Sequence, residues 1–169
     1  YFWQEGGMNC RFEELKRPTL LLGAELLSSC HVRERAFLIA RMAYLYSKGQ
    51  VVCEKMDANA LGSLFASFCR LAGQKPTCGE NAETKVWQAL LEDKLSSSIK
   101  ERLQDIVPIY LGIAEDVSVE EWRQAVLMSA ERVALLLSCD IDEALEALFR
   151  YRNIQLGSSN RLKLFLNYP

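Results

Sequence analysis

The sequence predicts a mainly α-helical single domain with a small β element at its N-terminus. Apolar residues recur at helical spacing over most of the chain, and residues that commonly begin helices, such as Asp57 and Asp140, precede these runs. Only the run at 19–22 has the flanking residues of a strand. The 169 residues are enough for one domain with a substantial core. We divide the chain into a β element (1–23), a helical core (24–150) and a C-terminal tail (151–169).

The β element is predicted from two segments. Residues 1–14 begin with three aromatic side chains, followed by Gly6-Gly7, and we interpret them as a hairpin-like or irregular strand. The run at 19–22 is rich in leucine, which suits either a helix or a strand. Pro18 fits the first position of a strand and Gly23 ends the run, so we predict a strand.

Helices account for the rest of the prediction. A short helix over 24–28 is followed by a helix over 32–47, which is so apolar that we expect it to be buried on all sides. Further helices are predicted over 58–72, 82–94, 99–110, 118–138 and 141–149. Ser118 and Glu121 have the spacing of a capping box. Pro108 is expected to kink or break its helix.

Composition and charge narrow the function classes. A formal net charge of -2 gives no electrostatic reason to bind nucleic acid, and no apolar run is long enough to predict membrane insertion. The chain begins with Tyr1 rather than Met, so we expect a fragment of a longer protein. The six cysteines are scattered without a C-x-x-C pair, which favours buried thiols in an intracellular, cytoplasmic protein over a disulfide framework.

Two segments resemble the core of the M48-type zinc metallopeptidases (gluzincins). In that family a strand and a short helix lead to a helix bearing H-E-x-x-H, and a later helix supplies the third zinc ligand. Residues 18–27 are similar to the strand and short helix, 34–40 to the approach to the metal helix, and 122–137 to the third-ligand helix. The resemblance covers about half of the chain and implies a zincin-like helical core.

The residues at the implied zinc site lack the chemistry of the family. The resemblance places H-E-x-x-H on residues 41–45 and the third ligand on Leu127. Arg41, Leu45 and Leu127 cannot ligate zinc, which needs imidazole, carboxylate or thiolate ligands. Met42 cannot take a proton from a metal-bound water. The resemblance therefore implies a degenerate, non-enzymatic domain (a pseudoenzyme) with no metal and no other cofactor.

Arg41 has two interpretations. Its side chain either faces solvent, with a long stem reaching outwards, or occupies the vacated metal position and pairs with Glu131 from the third-ligand helix. The single histidine, His31, follows Cys30, but neighbouring side chains on a helix point about 100° apart. We therefore do not expect a catalytic thiol–imidazole pair.

The leading hypothesis is a non-catalytic, peptidase-like helical domain that acts as a protein-interaction or structural module. The alternative is a helical adaptor or repeat-type interaction module unrelated to peptidases. It would lack a β element before residue 32, or keep the helix around Trp122 far from the helix over 32–47. Both hypotheses expect a protein partner, and neither gives its identity or the oligomeric state. An enzyme with a site of another kind also stays open.

Overall fold

The computed structural model describes residues 2–14, 16–77, 80–113 and 118–152. Within them the chain is mainly α-helical, as predicted, with three strands and eight helices. Their bounds are β1 Phe2–Trp3, β2 Cys10–Glu14, β3 Pro18–Gly23, α1 Ala24–Ser29, α2 Val32–Ser47, α3 Val52–Lys55, α4 Ala58–Leu71, α5 Ala82–Lys94, α6 Ser97–Ile113, α7 Val119–Ser138 and α8 Ile141–Tyr151.

The three strands form one small sheet in the order β1-β3-β2. The predicted strand, β3, lies in the centre, with β2 antiparallel and β1 parallel to it. Phe12 on β2 pairs with Leu20 on β3, which sets the register of the antiparallel pair. The segment predicted as a hairpin-like or irregular strand therefore supplies both partners of β3.

Gly23 permits a close approach between the end of β3 and the turn before β2. A Cβ atom at Gly23 would lie 2.1 Å from the carbonyl oxygen of Gly7, so a larger residue cannot fit without moving the backbone. The Gly23 amide donates to the Asn9 carbonyl at 2.8 Å, and the Leu26 amide donates to the Gly7 carbonyl at 3.2 Å. Carbonyl groups of this turn thus accept hydrogen bonds from the amides of Gly23 and Leu26. Amides at the start of a helix otherwise have no partner within the helix.

The chain forms two compact units where the sequence predicted one helical core. The first unit takes the described residues up to Val51 and from Val126 onwards, and the second takes Val52–Ala125. Helix α7 contributes its first residues to the second unit and the remainder to the first.

In the first unit, α2 packs against α8 and β2. Its buried residues recur at helical spacing and are Glu34, Phe37, Leu38, Arg41, Met42 and Leu45. Ala36, Ala43 and Tyr46 are exposed. The helix is therefore not buried on all sides, because its other faces carry alanine, which loses little by exposure, and tyrosine, whose hydroxyl can reach water.

In the second unit, α4 packs against both α5 and α6. Phe65 on α4 contacts Tyr110 and Trp122, with ring centroids 5.9 and 5.4 Å apart respectively. Trp122 on α7 and Trp87 on α5 are both half-buried. Ser67 donates to the Thr84 carbonyl at 2.9 Å, so a buried polar contact joins α4 to α5.

The sequence did not predict α3, a helix of four residues. The Nε atom of Arg123 donates to the carbonyls of Cys53 and Met56, at 3.0 and 2.9 Å. These bonds satisfy carbonyl groups that so short a helix cannot pair internally. Because Arg123 is far from α3 along the chain, no local sequence pattern predicts this contact.

Pro108 lies inside α6, and the helix continues past it to Ile113. Proline removes the amide that would bond to the carbonyl four residues earlier, here that of Gln104. Both residues are exposed, so water can satisfy this carbonyl. The break expected at Pro108 is therefore not observed.

The predicted tail over 151–169 lies outside the described residues, except for Tyr151, which ends α8, and Arg152. In the part of the chain that is described, no helix combines the length and the apolar character needed to cross a membrane.

Candidate functional site

The positions to which the resemblance assigns zinc chemistry lie inside the first unit. Arg41, Met42 and Leu45 on α2 are 2%, 1% and 0% exposed, and Leu127 on α7 is 8% exposed. Residues four apart share a helix face, so Arg41 and Leu45 belong to the buried face of α2. These positions are occupied by packed side chains.

Arg41 does not face solvent, and the structure brings it next to Glu131. The Nε atom of Arg41 lies 3.6 Å from Oε1 of Glu131, and the side chains are 2% and 8% exposed. This distance is within reach of an ion pair, although it is longer than a typical hydrogen bond. A buried guanidinium group without a counter-charge would be very costly, so the carboxylate makes its burial tolerable.

Three other side chains among the described residues lie beside this pair. Arg152, just after α8, also donates to Oε1 of Glu131. The Tyr151 ring centroid lies 5.4 Å from Cζ of Arg41, a cation–π distance. The Sδ atom of Met42 lies 3.8 Å from Nη1 of Arg41. We call Arg41, Glu131, Tyr151 and Arg152 the arginine cluster.

The chemistry of the arginine cluster does not fit a zinc ion. Guanidinium groups have no acceptor atom to offer a metal, and the side chains of Leu45 and Leu127 have no polar atom at all. Glu131 carries the one carboxylate of the cluster, and it is shared by two arginines. The cluster can hold α2, α7 and the end of α8 together by charge, and it supplies no set of metal ligands.

Glu34 was not singled out from the sequence. It lies in the first turn of α2, is 3% exposed and accepts a bond from the His31 amide at 2.5 Å. Its Oε1 atom lies 3.5 Å from Nη1 of Arg150, which also pairs with Glu146 at 3.2 Å. A glutamate three residues after a helix start is a recognised capping signal, and this position could have revealed its role.

Further contacts between polar side chains join the starts of α2 and α8. Arg33 lies 2.6 Å from Asp140, and Nδ1 of His31 lies 3.6 Å from Glu143. Asp140 caps α8 by accepting from the Glu143 amide at 3.1 Å, as predicted. That backbone bond, and then the bond from Arg33, lower the pKa of Asp140 below its ordinary value.

The thiols of Cys30 and Cys53 have little nucleophilic character. Burial, followed by the nearby Glu34 carboxylate, raises the pKa of Cys30, and burial raises the pKa of Cys53. A raised pKa keeps the thiol protonated, while the thiolate is the reactive form. The His31 side chain is 74% exposed and lies near Glu143. The absence of a catalytic pair of Cys30 and His31 stays a prediction.

Among the residues that the structure describes, no group of three or more His, Cys, Asp and Glu side chains could hold a metal ion. Comparisons of the chain with models of protein families, with curated proteins and with solved structures found no match. The resemblance to zinc metallopeptidases therefore stays a prediction made from the sequence.

Proposed function

We propose that this chain is a non-catalytic, peptidase-like helical domain that serves as a protein-interaction or structural module. The observation that carries the proposal is the buried contact between Arg41 and Glu131. Where the resemblance expects the first zinc ligand, the chain has a buried cation 3.6 Å from the carboxylate of Glu131. Such a pair holds the interior together and leaves no coordination position for a substrate-activating metal.

The arrangement of the elements also supports this proposal over an unrelated helical adaptor. Strand β3 and the short helix α1 precede α2 in the order that the resemblance requires. Helix α7 brings Glu131 to α2, so the two segments implied to carry the ligands approach each other. The adaptor hypothesis gave no reason for either feature.

Cellular location and partners belong to the same proposal. We place the protein in the cytoplasm, where free thiols persist, because Cys30 and Cys53 are buried free thiols. We assign it a protein partner rather than nucleic acid, since the formal net charge is -2.

Metal analysis of the purified chain tests the non-catalytic character. We expect substoichiometric zinc after gel filtration in zinc-containing buffer, and no hydrolysis of a casein or peptide-library substrate. One tightly held zinc per chain, or hydrolysis that a chelator abolishes, would contradict the proposal.

Restoring the ligands tests the peptidase-like frame separately. The variant R41H/M42E/L45H/L127E installs the family's ligands and base at the positions that the resemblance assigns. We expect zinc to raise its Tm, because a metal that binds only the folded state stabilises it. The control is the unchanged chain. If the four changes prevent folding, the pair L45H/L127E is measured in the same way. A folded variant that zinc does not stabilise would favour the unrelated adaptor.

A further inference from the structure

One side of α6 carries a line of exposed isoleucines. Ile99, Ile106, Ile109 and Ile113 are 45%, 51%, 64% and 74% exposed. Their spacings of seven, three and four residues place them on one stripe of the helix, the pattern of an a/d seam in a coiled coil. We call these four residues the isoleucine stripe.

The isoleucine stripe is separate from the face that α6 uses within its own unit. Val107 is buried, Leu103 is half-buried, and Tyr110 contacts Phe65 of α4. Helix α6 thus has one apolar face packed inside the second unit and a second, beside it, that remains exposed. Contiguous exposed apolar surface of this kind marks contact sites for other macromolecules.

Two charged residues lie on and beside the stripe. Arg102 occupies the seam position between Ile99 and Ile106, and Asp105 lies three residues later. Both are exposed, and within the described part of the chain neither forms an ion pair. A seam with one cation and one adjacent anion is complementary to a copy of itself running in the opposite direction.

One antiparallel register brings Arg102 of each copy beside Asp105 of the other. When Ile99 is placed opposite Ile109 of a second copy, Ile106 lies opposite Arg102, and Arg102 lies beside Asp105 of that copy. The two-fold symmetry makes each of these contacts occur twice. Opposite charges then meet, and Ile99 of each copy covers Ile109 of the other.

We infer that the isoleucine stripe pairs with the same stripe of a second copy of this chain in an antiparallel, two-fold arrangement. This inference rests on the proposed function as an interaction module and names its partner. The stripe spans about 21 Å of helix, since each residue advances about 1.5 Å. One helix face of this length gives an interface at the small end of the known range, so the dimer is weak and reversible.

Sedimentation of the 169-residue chain over a series of concentrations tests this inference. We expect a monomer–dimer equilibrium, and we expect Ile109→Glu to raise the dissociation constant by at least about tenfold, because a charge would be buried against Ile99 of the other copy. Val86→Glu is the matched control, since Val86 is 70% exposed on α5 of the same unit. Circular dichroism confirms that both variants fold.

Charge reversal tests the register. Arg102→Asp and Asp105→Arg should each weaken self-association, because each brings like charges together. An equimolar mixture of the two variants should associate again, since the mixed pair restores both opposite-charge contacts.

The inference is overturned if the unchanged chain stays monomeric at the highest concentration. It is also overturned if Ile109→Glu and Val86→Glu have equal effects, or if the mixture of charge variants fails to associate. A monomeric chain without zinc would leave the proposed non-catalytic function standing. A zinc-binding dimer would instead contradict that function alone.

Discussion

Among the described residues, the buried charged side chains all lie in the first unit, while both units expose apolar side chains, such as Leu136 in the first. The first unit places charge where apolar side chains are expected, with Arg41 and Glu131 buried in its interior. The second unit places apolar side chains where charge is expected, with Ile106 and Ile113 exposed on α6. Buried charge and exposed apolar surface are the informative exceptions to the usual distribution of residues.

The comparison teaches that the two exceptions have different consequences for the folded chain. A buried ion pair is weak evidence for stability, because its desolvation cost can exceed the attraction between the charges. Removing only one of the two buried charges, however, is strongly destabilising, because the other charge then stays buried without it. An exposed isoleucine adds little to the fold of a single chain, so its energetic value is realised only when another surface covers it.

The largest expected effect is the loss of one half of the buried pair. Glu131→Ala removes the carboxylate that lies 3.6 Å from the buried Arg41, and we expect the free energy of unfolding to fall by about 3 to 5 kcal/mol. Ile106→Ala in the second unit is the contrasting variant, and we expect a change within about 0.5 kcal/mol. Urea unfolding monitored by circular dichroism measures both.

A double variant sharpens the first prediction. R41M/E131L replaces both charges by apolar groups, and we expect it to recover most of the stability lost in Glu131→Ala. A loss below about 1 kcal/mol for Glu131→Ala would be that of an ordinary surface change, and would show that Arg41 is not dependent on this carboxylate.

A smaller effect contrasts one glycine in each unit. Gly23→Ala should lower the free energy of unfolding by about 2 to 3 kcal/mol, because the added Cβ meets backbone atoms of Gly6 and Gly7. Gly112→Ala, in α6, has nothing within 4 Å of the added Cβ and should raise stability by up to about 1 kcal/mol. Thermal and urea unfolding measure both changes. Equal effects at the two positions would contradict the close approach at Gly23.

The smallest expected effect concerns the pH dependence of the first unit. The pKa of Asp140 is lowered in the folded state, chiefly by the Glu143 amide and then by Arg33. Its contribution to stability is therefore present above the unfolded pKa of about 3.9 and is lost as the pH falls through the folded pKa. We expect Asp140→Asn to lower Tm at pH 7, and the difference from the unchanged chain to shrink below about pH 4.

Asp142→Asn is the control for Asp140→Asn, because it makes the same change of charge in the first turn of α8, and should lower Tm less. A Tm difference for Asp140→Asn that stays constant from pH 7 to pH 3 would show that the charge of Asp140 has no part in the effect.

Local patterns were sufficient to predict most of the helices. Helix α5 has the predicted bounds, and α2 ends where its predicted span ends, because caps and helical periodicity act over a few neighbouring residues. Asp57 and the pair Ser118 and Glu121 make the predicted capping contacts. The contact between Arg41 and Glu131 was one of two interpretations, and it required the resemblance to place the two helices together.

What the sequence could not provide depends on contacts between distant residues. The division into two units is set by which helices pack together, and periodicity does not say which apolar faces meet. The first-turn position of Glu34 was visible, but its ion pair with Arg150 was not, since the two residues are far apart along the chain. Exposure of the isoleucine stripe was equally invisible, because an apolar helix face normally predicts burial.

The bonds made by Arg123 bear on whether the second unit can be removed from the chain. Its bonds to the carbonyls of Cys53 and Met56 hold the last residues of Val52–Ala125 beside the first ones. A segment whose two ends meet can be excised or transplanted as a cassette, because a short Gly-Ser bridge can close the gap that it leaves. The chain on either side of the cassette can then be produced and studied as a shortened protein.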